Sequence, residues 1–184
     1  MEVNIFNTEN KYNIIYADPP WQYDDKSAPG GTEKHYPTMS IEDIKQLPVS
    51  RITSDNCYLF IWATFPMIKE CLDTISAWGF EYKTIAFNWV KHNKKSLGWF
   101  IGSGNYTRSN SEVCLIGTKG KLEIRDRGIC SVIDTPVMEH SVKPDIVRKN
   151  IVKLLGDIPR IELFARYSRP GWDAFGNQIS GGNK

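Results

Sequence analysis

Residues 14–21, Ile-Ile-Tyr-Ala-Asp-Pro-Pro-Trp, decide the fold of this 184-residue chain. Four apolar residues followed at once by Asp-Pro-Pro are typical of a short buried strand that ends where proline disfavours further pairing. The strand therefore ends at Asp18. In sheets of mostly parallel strands, ligands bind beyond the carboxyl ends of the strands, so a carboxylate at this position is a candidate functional group.

Strand-like and helix-like segments alternate along the rest of the chain. This alternation favours an α/β fold with a mostly parallel central sheet flanked by helices. Two long loops, 22–36 and 91–111, are placed to cover a site at the strand ends, since loops of this length in a compact domain are usually functional. The expected strands lie at 14–17, 58–63, 84–90, 113–116, 131–133 and 161–164, and the expected helices begin at Ser40, Pro66 and Pro144 and end at Pro48, Gly79 and Gly156.

Composition and length are those of one globular domain. Apolar residues make up 41% of the chain and charged residues 24%, as in an average globular protein. We expect a single domain over residues 1–179 and a flexible tail over 180–184. No apolar run is long enough to span a bilayer, and the N-terminus lacks a secretory pattern, which predicts no membrane association and a cytoplasmic location.

Cysteine, histidine and charge add little to the functional prediction. The four cysteines are widely spaced without a CxxC pair, and the three histidines are not at ligand spacing, so we expect no metal site. Cys57 and Cys114 lie in or beside apolar runs and are expected to be buried free thiols. The net charge of +2 permits a nucleic-acid partner without arguing for one. The only basic cluster, residues 91–95, has a solvated loop as its simpler interpretation.

The segment Asp18-Pro19-Pro20-Trp21 carries the candidate catalytic residues. A strand-ending turn with a core tryptophan is the structural alternative. The functional interpretation is methyl transfer to an exocyclic amine, which is a poor nucleophile because its lone pair is delocalised into the ring. The Asp18 carboxylate and the Pro19 carbonyl can each accept an N–H bond and so favour a pyramidal nitrogen. Proline suits that position because it has no N–H to compete and its φ is fixed.

Aromatic residues near this segment can supply a stacking face for a base. Trp21 is the first candidate, with Tyr23 or Tyr36 beside it. Because the methyl donor already carries a good leaving group, such a reaction depends on positioning and electrostatics more than on a strong base.

The sequence resembles the MT-A70 family of adenine-6-amino methyltransferases, which includes mRNA adenosine methyltransferases and bacterial and phage relatives. The resemblance covers nearly the whole chain in the same order. It implies a Rossmann-like fold that depends on S-adenosylmethionine, with a permuted motif order in which the catalytic motif precedes the cofactor strand. Besides residues 18–21, the matching segments are 36–40 (Tyr-Pro-Thr-Met-Ser), 60–62 (Phe-Ile-Trp), 89–91, 112–120, 143–145, 161–166, 172 and 176–178.

The resemblance also implies a set of cofactor-binding residues. Asp18 would contact the amino group of the cofactor, and the ribose and adenine would be held by Glu162, Phe164, Arg166, Asn177 and Gln178. A salt bridge between Glu162 and Arg166, and an ordinary turn at 177–178, are the structural alternatives.

The chain departs from several relatives at two positions. Ser111 and Ser168 stand where those relatives place residues that contact the cofactor carboxylate. Arg108, Lys143 or Arg169 could substitute for them.

The resemblance implies an enzyme that methylates the 6-amino nitrogen of adenine, with DNA favoured over RNA as the partner. It leaves open whether the protein forms a homodimer or a heterodimer. The alternatives are an RNA adenosine methyltransferase, a catalytically silent nucleic-acid-binding subunit, or methylation of a cytosine amine or a protein amide. The intact Asp-Pro-Pro-Trp argues against the silent subunit, and Asp rather than Ser or Asn at position 18 argues against methylation of cytosine or of a protein amide. Substrate contacts are expected from Lys94, Lys95 and Arg108 in addition to the aromatic residues.

Overall fold

The computed structural model describes residues 1–22, 38–104, 106–138, 142–177 and 179. Among these residues the strands are β1 (Tyr12–Ala17), β2 (Thr53–Ala63), β3 (Glu81–His92), β4 (Ser111–Lys119), β5 (Val132–Pro136), β6 (Arg160–Leu163) and β7 (Asp173–Phe175). The helices are α1 (Ile41–Gln46), α2 (Val49–Ile52), α3 (Ile68–Ala77) and α4 (Asp145–Leu155), and a 3-10 turn at Phe65–Met67 leads into α3.

The described strands form one sheet in the order β5-β3-β4-β2-β1-β6-β7. Only β4 runs against the others: it is antiparallel to both β2 and β3, whereas the remaining neighbours pair in parallel. The reversal follows from the connection, because β3 and β4 are joined through residues 93–110 without a crossover helix. The predicted mostly parallel α/β architecture is confirmed.

The strand order places β1 at the switch point of the sheet. After β1 the chain crosses to β2 on one side, and later returns to β6 on the other side. A crevice opens at such a point outside the carboxyl ends of the strands. Asp18 follows β1 directly and therefore lies at this crevice.

Alternating residues of the strands bury the two faces of the sheet. Ile15 and Ile61 lie in the cluster that contains Ile75 of α3. Tyr16 and Trp62 lie in the opposite cluster, with Ile151 and other apolar residues of α4. The helices thus cover both faces, as the alternation of segments predicts.

Helix ends follow from local chemistry. The Ser40 side chain accepts from the Asp43 backbone N–H at 3.1 Å and caps α1. Gly156 ends α4 with φ of 93°, a conformation that favours glycine. The predicted ends at Ser40 and Gly156 are confirmed. Pro66 lies in the 3-10 turn, so α3 itself begins at Ile68.

Several boundaries differ from those predicted. β3 extends to His92, so Lys91 and His92 belong to the strand and the connection to β4 begins at Asn93. Phe164 lies just beyond β6 with a positive φ of 61°, which breaks the extended backbone. The short elements α2 and β7 were not predicted, because four- and three-residue elements carry too little periodicity.

Two predicted features lie outside the described residues, namely most of the loop 22–36 and the tail 180–184. No helix among the described residues is long and apolar enough to cross a membrane.

Candidate active site

Asp18 lies against a buried lysine. Both carboxylate oxygens are 2.8 Å from Lys143 Nζ. The Lys143 side chain is 8% exposed and its ammonium lies 5.5 Å from the centroid of the Trp62 ring. Lys143 immediately precedes Pro144 and α4, so the start of that helix delivers the ammonium to the end of β1.

Lys143 also faces a second carboxylate, that of Glu112 on β4. Its Nζ is 3.3 Å from Glu112 Oε2, and Lys91 Nζ is 2.5 Å from Glu112 Oε1. Burial alone would lower the pKa of Lys143, but the carboxylates of Asp18 and Glu112 raise it well above its ordinary value. Burial alone would raise the pKa of Glu112, whereas Lys143 and Lys91 hold it below its ordinary value. Lys143 and Glu112 are therefore both charged at neutral pH.

The backbone of the Asp-Pro-Pro-Trp segment is fixed by two hydrogen bonds. The Trp21 N–H donates to the Pro19 carbonyl at 2.9 Å, and the Met39 N–H donates to the Pro20 carbonyl at 3.0 Å. A carbonyl oxygen has two lone pairs, so the Pro19 carbonyl keeps one for another donor. Met39, which lies two residues before α1, thus helps to hold the turn at residues 18–21 in place.

Trp21 is built into the core. Its side chain is 5% exposed, and its indole N–H donates to the Trp62 carbonyl at 3.0 Å. This is the packing that the structural alternative describes. The stacking of Trp21 on a target base stays a prediction, and its proposed aromatic neighbours, Tyr23 and Tyr36, lie outside the described residues.

Glu162, the predicted ribose ligand on β6, pairs with Arg148 of α4. Two guanidinium nitrogens donate to its two oxygens at 2.7 and 2.5 Å. Glu162 is 6% exposed, and the guanidinium lies 5.1 Å from the centroid of the Tyr16 ring. Burial alone would lower the pKa of Arg148, but the hydrogen bonds to Glu162 and the nearby anionic groups raise it above its ordinary value.

The other predicted cofactor residues follow β6 and β7 at the same edge of the sheet. Ala17 pairs with Leu163, which sets Phe164 beside Asp18 in register. Phe164 packs partly buried against the apolar cluster of the α3 face. The Ala165 N–H donates to the Phe175 carbonyl at 3.0 Å, so Arg166 and Asn177 lie on neighbouring segments.

Gly176 allows this close approach. A Cβ atom at this position would lie 2.1 Å from the Ala165 carbonyl oxygen. Close packing against Ala165 thus explains the glycine at position 176, independently of any role in binding the cofactor. Asn177 is exposed, and Gln178 lies outside the described residues.

The predicted nucleic-acid contacts lie on the connection between β3 and β4. Lys94, Lys95 and Arg108 are exposed. Because β3 ends at the edge where β1 ends, residues 93–110 stand at the same edge of the sheet as Asp18, with β3 three strand spacings or about 14 Å from β1 across the sheet. The same connection exposes Leu97 and Tyr106 fully.

Sequence reasoning missed three partners. Glu112 and Lys143 were noted only as parts of matching segments or as a substitute anion contact, and Arg148 was not singled out. Their roles depend on which helix packs over which strand, and a single sequence carries no signal for that. Among the described residues, no group of three His, Cys, Asp or Glu side chains could hold a metal ion.

Comparison with known proteins agrees with this geometry. The MT-A70 family profile matches residues 12–178. The Type II methyltransferase M.MunI of Mycoplasma sp is 37% identical, and the match covers 92% of this chain and 78% of that protein. The N(6)-adenosine-methyltransferase subunit METTL3 of Danio rerio is 31% identical over 93% of this chain, and the human catalytic subunit METTL3 is 30% identical over the same share.

The chain spans only 28% and 29% of the length of those two METTL3 proteins. The profile match nevertheless covers most of this chain, and the bacterial relative is covered over more than two thirds of its length. The mostly parallel sheet, with Asp-Pro-Pro-Trp after β1 and Ile-Glu-Leu-Phe at β6, is the Rossmann-like methyltransferase fold in the permuted order. The chain belongs to the MT-A70 family of methyltransferases.

Proposed function

We propose that this protein transfers a methyl group from S-adenosylmethionine to the 6-amino nitrogen of adenine in DNA. The observation that carries the proposal is the Asp18 carboxylate, held by a buried ammonium at the switch point of the sheet, within the motif that matches the family. An oriented carboxylate at that position is what an exocyclic amine needs in order to be aligned.

Asp18 and Pro19 act on the target amine. One Asp18 oxygen accepts one N–H of the amine, and the remaining lone pair of the Pro19 carbonyl accepts the other. With both N–H bonds directed in this way, the nitrogen lone pair is turned out of the ring plane. Lys143 holds Asp18 in a fixed orientation through its two 2.8 Å contacts. Such prior orientation is a main source of rate enhancement in reactions that need no strong base.

The donor set fits S-adenosylmethionine, which when bound supplies a methyl group on a positively charged sulfur. Asp18 and Glu162 offer carboxylate oxygens to the amino group and the ribose hydroxyls of this molecule. Arg148 occupies one lone pair on each Glu162 oxygen, and the other lone pairs stay available to hydroxyl donors. Ser111 and Ser168 carry no charge for the carboxylate of this molecule, and the three N–H donors of Lys143 already face Asp18 and Glu112, so Arg108 and Arg169 are the remaining cations proposed for that contact. The proton released from the methylated amine leaves after transfer through the solvent-facing side of Asp18, which is 24% exposed.

DNA is favoured over RNA by the comparisons. The Mycoplasma relative, which is named as a Type II methyltransferase, has the higher identity and is covered over 78% of its length. RNA is the second candidate because the METTL3 relatives are named as N(6)-adenosine methyltransferases. The two polymers differ at each nucleotide by a 2′-hydroxyl, which is the group that tells them apart at a binding site.

Duplex DNA would have to present the adenine outside the helix, because the amine cannot reach Asp18 within a base stack. Lys94, Lys95 and Arg108 lie on the connection 93–110, at the edge of the sheet that carries Asp18. They are suited to hold backbone phosphates on either side of an extruded nucleotide.

The experiment is a parallel methylation assay. The purified protein is incubated with methyl-labelled S-adenosylmethionine and unmethylated duplex DNA, single-stranded DNA or RNA, and each polymer is digested to nucleosides. We expect 6-methyladenine in DNA. Label in RNA alone would contradict the choice of polymer, label on cytosine would contradict the choice of base, and cofactor binding without transfer to any polymer would support the silent-subunit alternative.

A further inference from the structure

Four side chains of alternating charge form a row from the proposed catalytic carboxylate to the far side of β4. The order is Asp18, Lys143, Glu112 and Lys91, and the successive N–O distances are 2.8, 3.3 and 2.5 Å. The side chains are 24%, 8%, 17% and 12% exposed in that order, so water screens them little.

Lys143 stands between two competing carboxylates. It lies closer to Asp18, at 2.8 Å, than to Glu112, at 3.3 Å. Glu112 in turn has its own cation in Lys91. Removal of that cation would leave Glu112 with an uncompensated negative charge beside Lys143, and the ammonium would move toward Glu112 and away from Asp18.

The location of Lys91 ties this row to the connection between β3 and β4. The Lys91 N–H donates to the Asn110 carbonyl, and the Lys91 carbonyl accepts from the Phe100 N–H, both at 2.8 Å. Its ammonium lies 4.9 Å from the centroid of the Trp89 ring, so the side chain points across the sheet rather than out to solvent.

We propose that Lys91 and Glu112 form a positioning pair that keeps Lys143 on Asp18. The inference rests on the proposed methyl transfer and deepens it. Neither residue of the pair needs to touch the reacting atoms, because both act through Lys143. What matters is the charge balance of the row: two cations against two anions.

The test is a charge-compensation experiment. Lys91→Met should lower kcat for adenine methylation about tenfold, the effect expected when one coupled contact is lost. KM for DNA and the salt dependence of DNA binding should stay unchanged. The double variant Lys91→Met/Glu112→Gln removes one charge of each sign and should return kcat to within about threefold of the parent. Lys83→Met is the matched control, since Lys83 pairs with Glu81 on the same strand but is 44% exposed.

The double variant separates positioning from the other roles of Lys91. If Lys91 contacted DNA, the single and double variants would both show a reduced salt dependence. If it served only packing, kcat would track the melting temperature in all variants. No recovery in a folded double variant would overturn the proposal.

A second measurement needs no substrate. Asp18→Asn and Lys143→Met form a double-mutant cycle in which the free energy of unfolding is measured. The coupling free energy between the two residues should fall when Lys91→Met is also present, and it should recover when Lys91→Met and Glu112→Gln are both present. Unchanged coupling would overturn the proposal. If the parent protein methylates no nucleic acid, the proposed function fails, while this cycle still decides on the positioning pair.

Discussion

At the scale of single residues, the site is an arrangement of charges that are each neutralised by a named partner. Asp18 is paired with Lys143, and Glu162 is paired with Arg148. Removing one partner of a buried pair leaves the other charge uncompensated, which costs more than the pair itself contributes. Substitutions here therefore change stability as well as chemistry, and the two effects have to be measured separately.

Asp18→Asn tests the proposed alignment of the amine. The amide keeps the shape of the side chain but presents an N–H where one carboxylate oxygen accepted, so we expect kcat to fall by about 10²–10³-fold. The protein should stay folded, because Lys143 retains Glu112 as a partner. Methylation of unmethylated DNA and thermal melting are the two measurements. Asp73→Asn on the exposed side of α3 serves as the control, and near-parental kcat in the Asp18 variant would remove the basis of the mechanism.

Trp21→Phe and Trp21→Leu separate packing from stacking. Both variants lose the indole hydrogen bond to the Trp62 carbonyl, and only phenylalanine keeps an aromatic face. Since the indole is 5% exposed, we expect both to lose stability and their KM values for DNA to differ by less than about twofold. Urea unfolding and steady-state kinetics at a temperature where both are folded provide the test. A KM for the leucine variant that is tenfold higher would show that the ring contacts a base.

Glu112 links the site to pH. Lys143 and Lys91 lower its pKa in the folded protein below the ordinary value, so the unfolded state takes up the proton first as the solution is acidified. Its contribution to stability is present in full above about pH 4.5 and is lost as the pH falls through the folded pKa. We expect the free energy of unfolding of the parent to exceed that of Glu112→Gln at pH 7, and the difference to shrink at pH 3.5. Urea unfolding at both pH values checks the sign, and a constant difference would contradict it.

At the scale of elements, the sequence predicted what depends on local pattern and missed what depends on distant packing. β1 and its end at Asp18 follow from an apolar run and two prolines, and α4 from its apolar spacing and Gly156. The pairing of Arg148 with Glu162 could not be predicted, because the two residues are fourteen positions apart in the sequence. They meet only when α4 packs over β6. The catalytic candidate could be found in the sequence, whereas the cations that orient it could not be assigned.

Gly117 lies in a segment that matches the family, and close packing explains why a glycine stands there. A Cβ atom on this β4 residue would lie 2.9 Å from Ile75 Cγ2 and 3.1 Å from Phe80 Cβ, so the glycine lets α3 approach the sheet. We expect Gly117→Val to destabilise the protein by about 1–3 kcal/mol, the usual cost of overpacking. Thr118→Val on the same strand is the control. Thermal and urea unfolding measure the cost, and an unchanged midpoint would mean that α3 shifts freely.

At the scale of the whole molecule, the arrangement of charge matters more than its total. A net charge of +2 gives little general attraction to nucleic acid. The sheet brings the charged row that begins at Asp18, the Glu162 carboxylate and the connection 93–110 to one edge. The opposite edge carries the loop after β4 and the end of α4. Binding and chemistry are therefore expected at one edge, with no matching role for exposed cations at the other.

Neutralising the cations of the connection tests this asymmetry. Lys94→Gln/Lys95→Gln/Arg108→Gln removes up to three phosphate contacts, which should weaken binding to duplex DNA and reduce the slope of log K against log salt by up to about 2.7. The kcat at saturating DNA should stay near the parental value, because these side chains lie on the connection between β3 and β4 and none of them pairs with Asp18 or Lys143. The matched triple variant Lys121→Gln/Arg127→Gln/Lys153→Gln changes the same number and types of exposed cations at the opposite edge. Binding titrations at several salt concentrations compare the two, and equal losses of slope would mean that DNA is held by the overall charge rather than by the edge that carries Asp18.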